Sequence, residues 1–260
     1  MSKLRKYGVS PFSVVVVHGG PGAGGELAPV ARALATDRGV LEPFQTENSI
    51  NKQLEELRSV IETDGDRPIT LLGFSWGAWL SFIFAATYPE LVEKLVLISS
   101  GPFDERYAEK IFDTRMSRLS EDERSEVVSI LKALESPEEA LTTSSFEQIG
   151  SLFSKADTYD EITHEPAIIE YRPDIFDSVW KEAAEMRRSG RLLQFGKKIK
   201  CPVVAIHGDY DSHPAEGVRD TLNDVLTDFE FILLKHCGHT PWLERQARDE
   251  FFQLLSELLD

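Results

Sequence analysis

Six apolar runs of strand length, separated by helical patterns and Gly-rich turns, constrain this chain more than any other feature of its sequence. The runs are Ser13 to Val17, Gly39 to Phe44, Ile69 to Phe74, Leu95 to Ser99, Val203 to His207 and Phe229 to Leu234. They are apolar at consecutive rather than alternate positions, the pattern of strands covered on both faces. Parallel neighbours need a crossover long enough to hold a helix, and the intervals here supply it. The expected fold class is α/β, with a mostly parallel twisted sheet and helices on both faces.

The intervening helices have readable ends. Ser49 is placed to cap a helix in which Ile50, Leu54, Leu57 and Ile61 recur at helical spacing. A second helix is expected from Trp76 to Tyr88, stopped by Pro89, because proline disfavours the helical conformation of the residue before it. A last helix is expected from about Pro241 to Leu259, burying Phe251, Phe252, Leu255 and Leu258. Between Pro102 and Gly196 the strand-helix rhythm breaks into amphipathic helices, for example Ser120 to Glu135, joined by polar stretches such as Leu141 to Ser145. The expected organisation is a core of residues 1–101 and 197–260 with a helical cap, 102–196, inserted between two strands.

Charge narrows the partners. Acidic residues number 44 against 28 basic ones, a formal charge of −16. That balance opposes the counterion release that drives binding to nucleic acid or anionic lipid, so neither is expected as a partner. The insertion alone holds 21 acidic and 12 basic residues, which reads first as solvated helix faces. Lys3, Arg5 and Lys6 imitate the basic start of a signal peptide, but the apolar run of Val14 to Val17 behind them is too short for a signal or a membrane span. A cytoplasmic location is expected. Cys201 precedes one parallel strand and Cys237 follows its neighbour, which would separate them by roughly 20 to 30 Å at about 3.3 Å per residue, beyond disulfide reach. Both thiols are expected to be reduced.

The chemistry is concentrated where strands end. Gly73-Phe74-Ser75-Trp76-Gly77 is a G-x-S-x-G sequence directly after a strand and directly before a helix. There a serine is raised on a sharp turn, and flanking glycines remove the Cβ atoms that would collide as strand and helix cross. His18-Gly19-Gly20-Pro21-Gly22 follows the first strand and matches the glycine turn that donates an oxyanion amide, Gly20 being the candidate donor beside the amide of Trp76. His18 itself is expected to be structural.

Two further turns follow the last two strands: His207-Gly208-Asp209-Tyr210-Asp211 and His236-Cys237-Gly238-His239-Thr240-Pro241-Trp242. Serine is a weak nucleophile at neutral pH and needs a base, and the base needs a carboxylate to hold its tautomer. The candidate catalytic residues are Ser75, His239 and Asp211, with Asp209 a turn former. His236, Cys237 and His239 form an alternative metal-ligand set, although no second cluster accompanies them, and no metal or other cofactor is expected. His164 and His213 have no pattern around them and are expected at the surface.

On these motifs the sequence resembles the α/β-hydrolase superfamily, and within it the proline iminopeptidase-like branch, which pairs an H-G-G-P-G turn with a G-x-S-W-G elbow. The resemblance covers about 13 to 101 and 197 to 260. That fold commonly begins with two antiparallel strands, yet here 12 residues precede the first recognisable one, so a trimmed sheet of six or seven strands is expected. Where the branch carries Asp-x-Arg-Gly-x-Gly-x-Ser, this chain reads Leu41-Glu42-Pro43-Phe44-Gln45-Thr46-Glu47-Asn48, which leaves the substrate open. The resemblance implies a serine hydrolase acting on a small molecule or short peptide, either an aminopeptidase or an esterase. A carbon-carbon bond hydrolase and a receptor without turnover are alternatives on the same fold. An aminopeptidase would need carboxylates for the substrate ammonium; Glu161, Glu165 and Glu170 are the candidates, with Tyr159, Tyr171 and Trp180 to wall the pocket.

Overall fold

Every apolar run becomes a strand in the computed structural model, which describes residues 3–134, 143–163 and 170–260. The first part of the chain forms β1 (Leu4–Tyr7), β2 (Val14–Val17), β3 (Ala23–Gly24), α1 (Ala28–Leu34), β4 (Val40–Pro43), α2 (Ile50–Asp64), β5 (Ile69–Phe74), α3 (Trp76–Thr87) and β6 (Val92–Ile98). The insertion carries α4 (Glu105–Arg118), α5 (Glu121–Leu134), α6 (Thr143–Asp157), β7 (Glu170–Tyr171), α7 (Pro173–Arg188) and α8 (Arg191–Gln194). The chain then closes with β8 (Val203–Gly208), α9 (Glu216–Asn223), β9 (Phe229–Leu234) and α10 (Arg248–Leu259).

The main sheet has seven strands in the order β1-β4-β2-β5-β6-β8-β9. Only β1 runs antiparallel to its neighbour, with Leu4 opposite Pro43 and Tyr7 opposite Val40, so one short strand does fit ahead of the parallel set. Alternate residues of the central strands feed two separate cores. Val15, Val17, Leu71, Leu95, Leu97 and Ala205 pack under α2, α3 and α7, while Val14, Val16, Leu72, Val96, Ile98 and Ile206 pack against α1 and α10. That is the period-two consequence of a pleated strand covered on both faces. A small third cluster, Leu119, Val127 and Ala156, joins α4, α5 and α6.

Three local expectations are corrected. Ser49 does precede α2, but its side chain makes no capping bond; Glu182 of α7 reaches across and accepts from the Ile50 amide at 3.0 Å, so a tertiary contact fills the role of the local one. The last helix does not begin at Pro241. Pro241–Leu243 is a single tight turn, and α10 starts only at Arg248, because the buried Glu244 carboxylate is drawn inward to three backbone amides, those of Gly238 at 2.8 Å, Tyr159 at 2.9 Å and Asp160 at 2.8 Å. Finally, α6 begins at Thr143, inside the polar stretch expected to be a joint. The expectation for α5 holds: Ser120 Oγ accepts from the Glu123 amide at 3.3 Å and Glu123 returns to the Ser120 amide at 2.9 Å, a reciprocal cap. Cys201 and Cys237 form no disulfide. Among the described residues, no helix is long and apolar enough to cross a membrane.

Candidate active site

The carboxyl ends of β2, β5, β8 and β9 deliver the candidate residues to one edge of the sheet. Ser75 sits between β5 and α3 with φ 52° and ψ −115°, a backbone conformation unfavourable for a residue with a Cβ and typical of a strained elbow. Its two flanking glycines are forced by space. A Cβ on Gly73 would lie 2.3 Å from the Gly77 carbonyl oxygen, and one on Gly77 would lie 2.3 Å from that of Val17. The strand and helix therefore cross at a distance that only glycine permits.

Three side chains follow in a line. Ser75 Oγ lies 3.1 Å from His239 Nε2, and His239 Nδ1 lies 2.7 Å from Asp211 Oδ2. With the carboxylate on Nδ1, that nitrogen donates, and Nε2 is left as the acceptor facing the serine hydroxyl. Burial alone would raise the Asp211 carboxyl, yet the charges and hydrogen bonds of His239 and His213 hold it well below the usual carboxylate range. His239 shows the complementary balance. Burial pulls it down, but the Asp211 charge and hydrogen bond and the field of Asp157 leave it above 6.5. Asp209 instead faces the Cys237 amide, at 3.3 Å, and Lys235, at 3.6 Å.

His213 is not a free surface residue, and sequence reasoning missed its place. Its Nδ1 and its backbone amide both bond Asp211 Oδ1, at 2.8 and 2.9 Å, and its ring stacks on His239 with centroids 4.6 Å apart. Burial lowers its pKa against the pull of Asp211, so the ring is neutral near pH 7. A signal existed: two residues after an aspartate at a strand end, a side chain can fold back onto that carboxylate. His207 adds a third imidazole, buried, with Nε2 donating to the His213 carbonyl at 2.8 Å.

The turn after β2 is organised as expected for a structural histidine. His18 Nδ1 donates to the Gly19 carbonyl at 2.8 Å and Nε2 accepts from the Gln45 amide at 3.2 Å. Burial lowers its pKa to about 4, which keeps it neutral. Gln45 also donates to the His18 carbonyl at 2.9 Å and accepts from the Trp76 indole at 2.8 Å. It thus ties the glycine turn to the helix behind Ser75, from within the segment where the motif of the resembling branch is missing.

A cavity of about 360 Å³ opens above Ser75, within the range of small-molecule sites. Gly20, Ser75, Trp76, His213 and His239 line its floor, and Trp79, Phe112, Phe176 and Trp180 its walls. Trp180 is one of the lining residues, stacked between Trp79 and Phe176. Glu161 is not: it is exposed and pairs by a backbone bridge with Glu244, away from the cavity lining. Glu165 lies outside the described residues, as does His164, and of the Glu170 and Tyr171 side chains nothing is described. The charged residues on the wall are Arg115 and Arg187, and no carboxylate joins them among the described residues.

His236, Cys237 and His239 do not converge as ligands. The described residues that bring three metal-compatible atoms within 4.8 Å are Asp211, His213 and His239, and their hydrogen bonds to one another account for that proximity.

Comparison with known proteins places this geometry. A family model for the alpha/beta hydrolase fold matches residues 42–246. A proline iminopeptidase of Heyndrickxia coagulans is 24% identical over 272 residues, covering 95% of this chain and 90% of its own length. Among solved structures, VinJ superposes with a TM-score of 0.67 at 17% identity, covering 98% of this chain and 93% of its own. An esterase from Thermogutta terrifontis does so with a TM-score of 0.64 at 18% identity, covering 98% and 92%. A family match over most of the chain, on a seven-stranded sheet with this strand order, establishes that the chain belongs to the alpha/beta hydrolase fold family.

Proposed function

We propose that the protein is a serine hydrolase that cleaves an ester or amide of a small molecule or short peptide through an acyl-Ser75 intermediate. The observation that carries the reading is the line from Ser75 Oγ through His239 to Asp211, with bonds of 3.1 and 2.7 Å, on the floor of a cavity. In the proposed reaction His239 Nε2 takes the hydroxyl proton as Oγ attacks the substrate carbonyl carbon. The charge that develops on the carbonyl oxygen falls to the backbone amides of Gly20 and Trp76, the latter an unsatisfied donor at the start of α3. His239 then returns the proton to the leaving group as the carbonyl re-forms. A water, deprotonated by His239, attacks the acyl carbon, and Ser75 recovers its proton as the acid departs. Asp211 holds the His239 tautomer throughout and stabilises the imidazolium. Every proton in these steps passes through His239, the one further reactant is water, and the inserted helices serve as a cap that limits the acyl group.

A fluorophosphonate probe tests the assignment. It should label the parent protein and leave Ser75→Ala unlabelled. Equal labelling of Ser75→Ala would show that Ser75 is not the nucleophile, and a parent that is never labelled would favour the receptor reading. Between aminopeptidase and esterase, the wall favours the esterase, because among the described residues an ammonium group would meet Arg115 and Arg187 there and no carboxylate.

A further inference from the structure

Resting on the reading just given, we infer that the cavity takes an acyl group whose far end is a carboxylate, held by Arg187. Among the described residues the wall is otherwise apolar, Pro102, Ala108 and Ile111 lying beside the aromatic rings, and in a chain of formal charge −16 its two charged side chains there are both guanidinium groups. These two are not equivalent. Arg115 is spent on its partner: Nε and Nη2 both bond Asp157, at 3.0 and 2.6 Å. Arg187 uses only Nε, on Glu105 Oε2 at 2.6 Å. Its two terminal nitrogens have no partner among the described residues, and together they form the edge that receives a carboxylate in two parallel bonds.

The setting strengthens that edge. The Arg187 side chain is only 11% exposed, and its guanidinium carbon lies 5.4 Å from the centre of the Trp79 ring. Trp79 is in turn stacked on Trp180 at 5.9 Å with an interplanar angle of 1° and fixed by its indole donating to the Gly101 carbonyl at 3.0 Å. A guanidinium lying on a fixed aromatic surface, shielded from water, acts on a ligand charge more strongly than a surface arginine does. Trp79 stands one helical turn beyond Trp76 on α3, so the anionic end is read away from the scissile bond while the aromatic walls hold what lies between. A charge-assisted pair of this kind favours the charged substrate by about tenfold or more.

Two matched comparisons test this. The first is kinetic: the half p-nitrophenyl ester of adipic acid against p-nitrophenyl hexanoate. The parent should prefer the charged ester by about tenfold in kcat/KM, and the preference should fall by about the same factor in Arg187→Gln, with Arg187→Lys between the two because it keeps the charge and loses the fork. A preference that is unchanged in Arg187→Gln, or that favours the hexanoate in the parent, overturns the inference. The second comparison is calorimetric and uses Ser75→Ala, so it needs neither turnover nor a folded Arg187 variant. Phenylacetate should bind at least about tenfold more tightly than phenylacetamide. Equal affinities, or tightest binding by phenethylamine, overturn the inference. If neither ester is hydrolysed, the proposed function fails by itself, while the calorimetry still decides whether the cavity takes a carboxylate, and its repetition in Ser75→Ala carrying Arg187→Gln decides whether Arg187 holds it.

Discussion

His213 and His239 stack ring on ring at 4.6 Å and divide the Asp211 carboxylate between them, one oxygen each. The candidate base therefore competes for the charge that supports it. Replacing His213 with Phe keeps a stacking ring and removes the competing bond. The Asp211 charge then acts more fully on the His239 imidazolium, so the pH below which activity is lost should rise. In the parent, that limit should lie above the ordinary histidine range, because the Asp211 charge and hydrogen bond raise His239, which must be neutral to accept the proton. Turnover at pH 9 should fall by about tenfold or less, since the His213 backbone amide still holds Asp211 Oδ1. A pH profile of kcat/KM checks the sign; a limit that stays in place or moves down contradicts the shared carboxylate.

The two aspartates after β8 should separate cleanly. Asp211→Asn presents an amide to the His239 ring and reverses its tautomer, so turnover should drop by about four powers of ten. Asp209→Asn touches only the Cys237 amide and Lys235 and should cost about 1 kcal/mol of stability with turnover nearly intact. Steady-state kinetics and a chemical melt of each variant distinguish the roles, and the reverse ranking would remove Asp211 from the line.

Glu244 is a strut between two loops. Its buried carboxylate bonds the amides of Gly238, Tyr159 and Asp160, which fastens the residue before His239 to the segment after α6. Glu244→Ala leaves the buried Gly238 amide and the part-buried amides of Tyr159 and Asp160 without their partner, and a loss of about 2 kcal/mol or more is expected. The measurement is equilibrium unfolding; a loss below about 1 kcal/mol would mean that water replaces the carboxylate.

Glu26 should make the fold more stable in acid than in base. Burial pushes its carboxyl up to about 7, against the opposing field of His239, and Oε2 is buried without a partner. In the unfolded chain it titrates near its ordinary 4.5. Between those values the unfolded chain releases a proton that the folded one retains, so up to about 3 kcal/mol of stability is lost as the pH rises through that window. Glu26→Gln removes the titration. The variant should be more stable than the parent at pH 8 and no more stable at pH 4, by thermal melts at both.

What the sequence made legible was the part governed by local rules. The strands could be read because burial on both faces writes a continuous apolar run, and Ser75, Asp211 and His239 because each follows such a run within a recognisable turn. What it hid depends on contacts between distant segments. Glu182 reaching the Ile50 amide, Glu244 delaying the start of the last helix and Gln45 bracing Trp76 are single polar residues whose partners lie elsewhere in the chain. His213 was missed for a different reason: its signal is local, a side chain two residues past an aspartate at a strand end, but that spacing is far less distinctive than a period or a motif. The acidic residues of the insertion misled, since a run of charge says nothing about which side chains turn inward, and those on the described cavity wall are arginines.

The placement of the indoles has a practical consequence. All four tryptophans of the chain gather at this one place: Trp76, Trp79 and Trp180 lining the cavity, and Trp242 against Phe74, whose ring contacts His239. Tryptophan emission from this protein, excited where its six tyrosines do not absorb, is therefore a signal from the site. Occupancy of the cavity can be followed by the light the chain already emits, without a dye, a leaving group or a coupled enzyme.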